Sequence, residues 1–123
     1  MNIVDSSGWL EYFANAKNAG HFAKAIENTG DLIVPTIIIT EVFKKILIEK
    51  DENIALYVIA QMMQGKVSDL TTETAINAAK FGKDLKLPLA DSIIYATARF
   101  YDAVIYTQDS DFKGLEKVVY IKK

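Results

Sequence analysis

The sequence has no cysteine, only one histidine and no long apolar run. The lack of cysteine excludes disulfide bonds and thiolate metal sites. The single histidine, His21, excludes multi-histidine zinc sites and leaves little room for a Ser-His-Asp triad. No apolar segment reaches the roughly 18 residues that a membrane span needs, and the N-terminus has no basic segment typical of a signal peptide. We therefore expect a cytoplasmic protein with no membrane contact.

The composition is that of a globular domain with a sizeable core. Hydrophobic residues make up 50% of the 123 residues, which favours one domain over residues 1–123. The formal net charge of -2 is not the basic balance of a typical nucleic-acid binder. It does not exclude such a function, because acids clustered around metal ions would offset the charge of the lysines.

The apolar residues predict strands that alternate with helices. The predicted strands are 2–5, 32–34, 65–68, 103–107 and 118–121, and the predicted helices are 6–15, 20–29, 36–49, 52–64, 71–86 and 88–101. The strands are apolar throughout, which favours an α/β fold with a mainly parallel sheet covered on both faces. In such folds ligands bind beyond the carboxyl ends of the strands, near the point where the strand order reverses.

Acidic residues stand at the edges of the apolar segments. Asp5 and the pair Asp109 and Asp111 follow predicted strands, whereas Glu41 and Asp91 lie in the early turns of predicted helices. These positions can converge at one edge of the sheet. Several carboxylates there would form an oxygen-rich site for a hard divalent cation, which points to metal-assisted cleavage of phosphodiesters.

Two of these acids also have a purely structural explanation. Asp5 precedes a helix and suits the N-cap position, although a capping carboxylate can still bind a metal with its other oxygen. Glu41 precedes Lys44 and Lys45 by three and four residues, which is the spacing of a helical ion pair. The residues before Glu41 are strongly apolar, however, so its carboxylate is expected to face a cleft rather than open water.

The other acids are ambiguous in the same way. Asp91 in the first turn of a helix would interact favourably with the helix dipole, but the helix is so apolar that an unpaired acid would be costly to desolvate. Asp109 and Asp111 can equally belong to a polar turn. If these acids meet Asp5 and Glu41 in one pocket, they raise each other's pKa and destabilise the fold until a cation neutralises them.

Four motifs carry the acids in a fixed order along the chain. They are Val4-Asp5-Ser6-Ser7, Thr40-Glu41-Val42, Asp91-Ser92-Ile93-Ile94-Tyr95-Ala96-Thr97-Ala98 and Thr107-Gln108-Asp109-Ser110-Asp111-Phe112. In this order, and across essentially the whole chain, the sequence resembles the PIN-domain ribonucleases, and most of all the VapC toxins of prokaryotic toxin–antitoxin pairs.

The resemblance implies a three-layer α/β/α sandwich and an endoribonuclease that cleaves RNA with a metal-activated water. The cofactor would be Mg²⁺ or Mn²⁺, and the partners would be RNA and a cognate antitoxin. Asp5, Glu41, Asp91 and Asp109 would be the catalytic and metal-binding acids. Asp111 would be a further metal ligand.

Further residues follow from the same resemblance and from their positions. Ser7 and Thr107 would support Asp5 and Asp109 by hydrogen bonds. Lys44, Lys45 and Lys86 are candidates for RNA contacts, because they neighbour Glu41 and Asp91 in the sequence.

A homodimer is also expected. The predicted helices 36–49 and 52–64 carry more apolar residues than one small sheet needs, including Tyr57, Met62 and Met63. A Met-rich face can instead belong to the core.

Two alternative functions remain open at this stage. A receiver-like signalling domain would need an acid after the third strand, which Asp69 could supply, and a lysine after the fifth, where only Lys122 and Lys123 are available. The second alternative is a catalytically silent PIN-like interaction module, although the chain retains every acid.

Overall fold

Five short strands and six helices make up the computed structural model, which describes residues 1–123. The strands are β1 (Asn2–Val4), β2 (Leu32–Pro35), β3 (Lys66–Ser68), β4 (Val104–Thr107) and β5 (Val118–Tyr120). The helices are α1 (Ser6–Phe13), α2 (Ala19–Glu27), α3 (Thr36–Glu49), α4 (Glu52–Met62), α5 (Thr72–Leu85) and α6 (Leu89–Tyr101), and there are 3₁₀ turns at Thr29–Asp31 and Ser110–Phe112. None of the helices combines the length and apolar character that crossing a membrane requires.

All five strands are parallel and form one sheet in the order β3-β2-β1-β4-β5. This confirms the predicted α/β fold with a mainly parallel sheet. Parallel crossovers are right-handed, so the pairs α1/α2 and α3/α4 cover one face and α5/α6 covers the other. The strand order reverses between β1 and β4, whose carboxyl ends therefore flank the crevice where such folds bind ligands.

The core lies between the sheet and its two helical layers. The strand residues Ile3, Val4 and Ile33 are almost completely buried. Large side chains of the helices fill the space above and below them, among them Trp9, Phe22, Ile38, Met62 and Ile94. The inner strand β2 is buried on both faces and is therefore apolar at successive positions, whereas burial alternates along β4 and the edge strands β3 and β5 have no buried residue.

Specific residues set the ends of several helices. The side chain of Asp51 accepts a hydrogen bond from the backbone N–H of Ile54 at 2.9 Å and caps α4, and Thr71 caps α5 in the same way. At the end of α6, Asp102 adopts a left-handed conformation with φ of 53°. The ammonium of Lys117 lies 2.6 Å from its carboxylate and 3.0 Å from its carbonyl oxygen, which holds this turn without a glycine.

The predicted elements are all present, and only their ends differ. Helix α1 stops at Phe13 rather than at residue 15, and Asn15 adopts a left-handed conformation with φ of 50°. Strand β1 stops at Val4, although the N–H of Asp5 still donates to the carbonyl oxygen of Tyr106 at 3.0 Å. The 3₁₀ turn Ser110–Phe112 was not predicted, because it is a single turn held by the side chain of Asp109.

Gly8 tests how tightly α1 packs on the core. A Cβ atom at Gly8 would lie 2.7 Å from both Phe22 and Val4, whereas a Cβ at Gly20 in α2 would have no neighbour within 4 Å. In a helix interior alanine is more stabilising than glycine by about 1 kcal/mol. An added group in a filled core, however, costs about 1–3 kcal/mol of stability. We therefore expect Gly8→Ala to lower the free energy of unfolding and Gly20→Ala to leave it unchanged or raise it. Urea denaturation of both variants measures this, and equal stabilities would contradict the packing described here.

Candidate metal centre

Five acids form the acidic cluster, namely Asp5, Glu41, Asp91, Asp109 and Asp111. Asp5 is the most buried of them. It follows β1 and leaves only 2% of its surface exposed. Its side chain makes no capping hydrogen bond to α1. Instead, its Oδ2 accepts hydrogen bonds from the hydroxyl groups of Thr107 at 2.8 Å and Ser7 at 3.0 Å. Both bonds go to one oxygen, and they fix the orientation of the carboxylate.

Thr107 links Asp5 to the acids that follow β4. Its hydroxyl donates to Asp5 and accepts a hydrogen bond from the backbone N–H of Asp109 at 2.9 Å. Strands β1 and β4 are hydrogen-bonded neighbours. A single buried hydroxyl group thereby sets the distance between the first and the last acidic motif.

The acids of α6 and of the 3₁₀ turn lie close together. Carboxylate oxygens of Asp91, Asp109 and Asp111 are all within 4.8 Å of one another. Asp91 is buried in the first turn of α6, Asp109 is half-buried and Asp111 is exposed. The Oδ1 atom of Asp109 accepts a hydrogen bond from the backbone N–H of Asp111 at 2.9 Å, which orders the turn.

Glu41 reaches the cluster from α3 and forms no ion pair. Its Oε1 atom is buried and has no hydrogen-bond partner. The ion pair with Lys44 or Lys45 that the spacing allowed does not form, because Lys45 pairs with Glu49 at 3.0 Å. A buried carboxylate oxygen without a partner carries a desolvation cost, which a bound cation would offset.

The pKa of each of the three less exposed acids is raised. Burial is the main cause for Asp5, and the charge of Asp109 adds to it, while the hydrogen bonds from Thr107 and Ser7 lower this pKa. Burial and the charge of Asp5 raise the pKa of Glu41. For Asp91, burial followed by the charges of Asp109 and Asp5 raises the pKa to about 8.

The donor set fits a hard divalent cation. None of the four ion pairs in the protein involves Asp5, Glu41, Asp91, Asp109 or Asp111. Carboxylate oxygens that are held by a rigid frame and not paired with a cationic side chain are the ligands that Mg²⁺ and Mn²⁺ prefer. The orphaned oxygen of Glu41 supports the same fit.

A second set of polar residues is hydrogen-bonded to Ser7, which orients Asp5, and it was not predicted from the sequence. Asn18 and Gln108 are each only 7% exposed, and the side-chain amide of Asn18 donates to the Oε1 of Gln108 at 2.9 Å. Glu11 accepts from the N–H of Asn18 at 2.8 Å and from the amide of Gln108 at 3.3 Å. The backbone N–H of Gln108 donates to Ser7 at 3.3 Å. Asn18 and Gln108 are 90 residues apart, so no local pattern could have predicted this network.

A cavity of about 540 Å³ opens next to Asp5 and Asp109. Lys45 lines it, as do Lys50 and Lys123, which the sequence did not single out. The other two lysine candidates, Lys44 and Lys86, are exposed and do not line this cavity. The lysines that line the cavity therefore lie in α3, directly after it and at residue 123.

Comparisons with known proteins identify the family and the fold. A family model described as PIN domain matches residues 3–118. No curated protein matches the sequence. Among solved structures, a toxin–antitoxin complex from Klebsiella pneumoniae superposes with a TM-score of 0.85 at 18% identity, covering 100% of both chains. VapC20 of Mycobacterium tuberculosis, described as a sarcin–ricin loop cleaving toxin, gives 0.78 at 14% identity over 100% of both chains. VapBC from Salmonella typhimurium, bound to DNA, gives 0.76 at 15% identity over 98% of this chain and 96% of that one.

Replacing Asp91 by Asn tests the electrostatic strain in the metal-free protein. Between its usual pKa of 3.8 and about 8, Asp91 ionises more readily in the unfolded chain than in the folded one, so this group makes the fold less stable as the pH rises. We expect Asp91→Asn to raise the free energy of unfolding in EDTA. The gain should be larger at about pH 8 than at about pH 5 by at least about 1.4 kcal/mol, the equivalent of one pKa unit.

Urea denaturation at the two pH values measures this difference. Asp84→Asn, at an exposed position of α5, is the matched control and should show no such dependence on pH. A gain for Asp91→Asn that is the same at both pH values would contradict the electrostatic explanation.

Proposed function

This chain belongs to the PIN-domain family, and on that premise we propose that it is a metal-dependent endoribonuclease, the toxin of a VapBC-type toxin–antitoxin module. The observation that carries the proposal is a cluster of acids at the point where the strand order reverses. Oxygens of Asp91, Asp109 and Asp111 lie within 4.8 Å of one another, the charge of Asp5 raises the pKa of both Asp91 and Glu41, and no cationic side chain is paired with any of the five acids. Such a site suits a divalent cation and a phosphodiester substrate.

The proposed roles follow from the positions of the acids. Asp5, Glu41, Asp91 and Asp109 would hold Mg²⁺ or Mn²⁺ directly or through water, with Asp111 as a further ligand at the exposed side. A cation bound there would neutralise the phosphate charge and lower the pKa of a water molecule.

The protein itself contributes the rigidity of the ligands. The hydroxyl groups of Ser7 and Thr107 orient Asp5, and Thr107 also holds the backbone of Asp109. The raised pKa of Asp91 means that this carboxyl group releases a proton when a cation binds, so affinity for the metal should increase with pH.

The substrate that we propose is RNA. Lys45, Lys50 and Lys123 line the cavity beside the acids and would contact phosphate groups. Lys44 and Lys86 stay candidates for contacts further along the strand. The overall charge of -2 is compatible with this proposal, because five of the 16 acidic residues belong to the proposed metal site, where a cation would offset their charge.

The first protein partner that we propose is a cognate antitoxin. One solved structure with the same fold is described as a toxin–antitoxin complex, and two others are described as VapBC bound to DNA. In an RNA-cleavage assay, the product of a reading frame adjoining the gene should inhibit the wild-type protein. Full activity in the presence of that product would argue against the toxin role.

The second proposed partner is another copy of the same chain. Leu56 and Met63 lie on one face of α4, two turns apart, and are 53% and 60% exposed. We expect a dimer in light scattering at micromolar concentration and a monomer for the double variant Leu56→Lys, Met63→Lys. Ile76→Lys in α5 is the control, since Ile76 is 54% exposed. A monomeric mass for the wild-type protein would remove this proposal.

The geometry disfavours a receiver-like signalling domain. Asp69 follows β3, the edge strand, and β2 separates it from β1 and Asp5. It lines a different cavity from the one beside the acidic cluster. A silent interaction module would not need the five convergent acids, and the cleavage assay below distinguishes it from a nuclease.

Cleavage of a labelled RNA pool by the purified protein tests the nuclease directly. We expect cleavage with Mn²⁺ or Mg²⁺ and none in EDTA. Asp5→Asn and Asp91→Asn should each lower kcat by about 100-fold or more, because each removes a charged ligand of the cation. Asp84→Asn is the control and should cleave like wild type. If Asp91→Asn cleaved RNA as fast as wild type, the proposed site would be wrong.

Urea denaturation of the same variant in EDTA shows whether a loss of RNA cleavage results from a loss of the fold. Asp91→Asn is expected to be more stable than wild type and yet inactive. Loss of activity in this variant would then not result from loss of the fold.

A further inference from the structure

The cavity beside the acids has a chemically mixed lining. Asp5 and Asp109 line it, and so do apolar side chains of two helices, Leu10 and Phe13 of α1 and Tyr57 of α4. The cluster of acids accounts for only the charged lining, so the apolar lining needs an explanation of its own.

The size of the cavity and its apolar lining suit a flat aromatic ligand. A volume of about 540 Å³ is within the range of sites for small organic molecules. Tyr57 is 63% exposed and lines the cavity, so its ring is accessible to a ligand there. Nucleobases stack on accessible aromatic side chains of this kind, and each stacked base contributes about 1–3 kcal/mol.

The unpaired lysines of the cavity favour a nucleic acid over an apolar peptide. Among the four acids that line it, Asp5 and Asp109 belong to the candidate metal centre, Glu49 is paired with Lys45, and Glu11 is hydrogen-bonded to Asn18 and Gln108. Lys50 and Lys123 also line the cavity, and neither belongs to any ion pair of the protein. Free ammonium groups next to an apolar wall match a base that is attached to phosphates. Asp5 and Asp109, which line the same cavity, would help to hold the cation that binds the next phosphate of the same strand.

We propose that this cavity is a nucleobase subsite that accepts one unstacked base of single-stranded RNA beside the cleaved phosphate. The proposal rests on the nuclease function proposed above and specifies its substrate. The base stacks on Tyr57, and Lys50 and Lys123 contact the flanking phosphates. A base inside a duplex is stacked and paired, so it cannot enter the cavity, and double-stranded RNA is a poor substrate.

The test uses a short single-stranded RNA that carries one 2-aminopurine, a base whose fluorescence is quenched by stacking. Rapid mixing with the Mn²⁺-loaded protein should give quenching before product forms. Tyr57→Ala should abolish this quenching and raise KM about tenfold, as expected for the loss of one stacked base. Its affinity for Mn²⁺, measured by calorimetry, should equal that of wild type, because Tyr57 is not one of the proposed metal ligands.

Phe100→Ala is the matched control. Phe100 is also 63% exposed, but it lines the other cavity, near Thr97 and Tyr101. It should behave like wild type in quenching, KM and Mn²⁺ affinity. The same RNA annealed to its complement should show neither quenching nor efficient cleavage.

The outcomes separate this inference from the proposed nuclease. If wild type cleaves the RNA but Tyr57→Ala matches Phe100→Ala, the subsite is wrong and the nuclease stands. Equal quenching of the duplex would also overturn the subsite. If Tyr57→Ala leaves quenching intact and instead prevents inhibition by the antitoxin, the cavity is a protein-docking site and the inference fails. Quenching that depends on Tyr57 without any cleavage would support the subsite and overturn the nuclease, and neither signal from wild type would overturn both.

Discussion

Repulsion among carboxylates is the constraint on which the architecture of this site depends. Asp91, Asp109 and Asp111 place oxygens within 4.8 Å of one another, and Asp5 and Glu41 add to the same field. Like charges at such distances in a partly buried site oppose folding. The chain can hold them together only because each acid is fixed by an element whose position is determined elsewhere, by the buried strands and the apolar faces of the helices.

A small number of polar groups hold the acids in position. Thr107 joins the ends of β1 and β4 through its hydroxyl, and Ser7 shares the same oxygen of Asp5. Behind them, the buried amides of Asn18 and Gln108 are satisfied by each other, by Glu11 and by the carbonyl oxygen of Lys122. Buried polar groups that are fully hydrogen-bonded give rigidity, while unsatisfied ones destabilise a fold. The same arrangement therefore has two consequences. It makes the acids rigid, and it keeps carboxylates that repel each other close together.

The fold and the acids of the site could be predicted from the sequence because both leave local patterns. Apolar strands such as Leu32-Ile33-Val34 and helices with a 3.6-residue period identify a parallel α/β sheet, and the acids at the ends of these segments then fall at one edge. The amide pair of Asn18 and Gln108 and the presence of Lys50 and Lys123 beside Asp5 could not be predicted, because they depend on distances between residues far apart in the chain. Lys45 has an acid four residues away on either side in α3, Glu41 and Glu49, so the helical spacing alone did not decide that it pairs with Glu49.

The pairing of β1 with β4 has a consequence for protein synthesis. Asn2 lies opposite Val104, so the first strand of the chain finds one of its two neighbours more than a hundred residues later. A nascent chain that has not yet exposed Val104 and the residues after it has neither Thr107 to orient Asp5 nor the acids at 109 and 111. Domains emerge from the ribosome N-terminus first. The acidic cluster is therefore completed only after Asp111 has been synthesised, and until then the nascent chain has no assembled site.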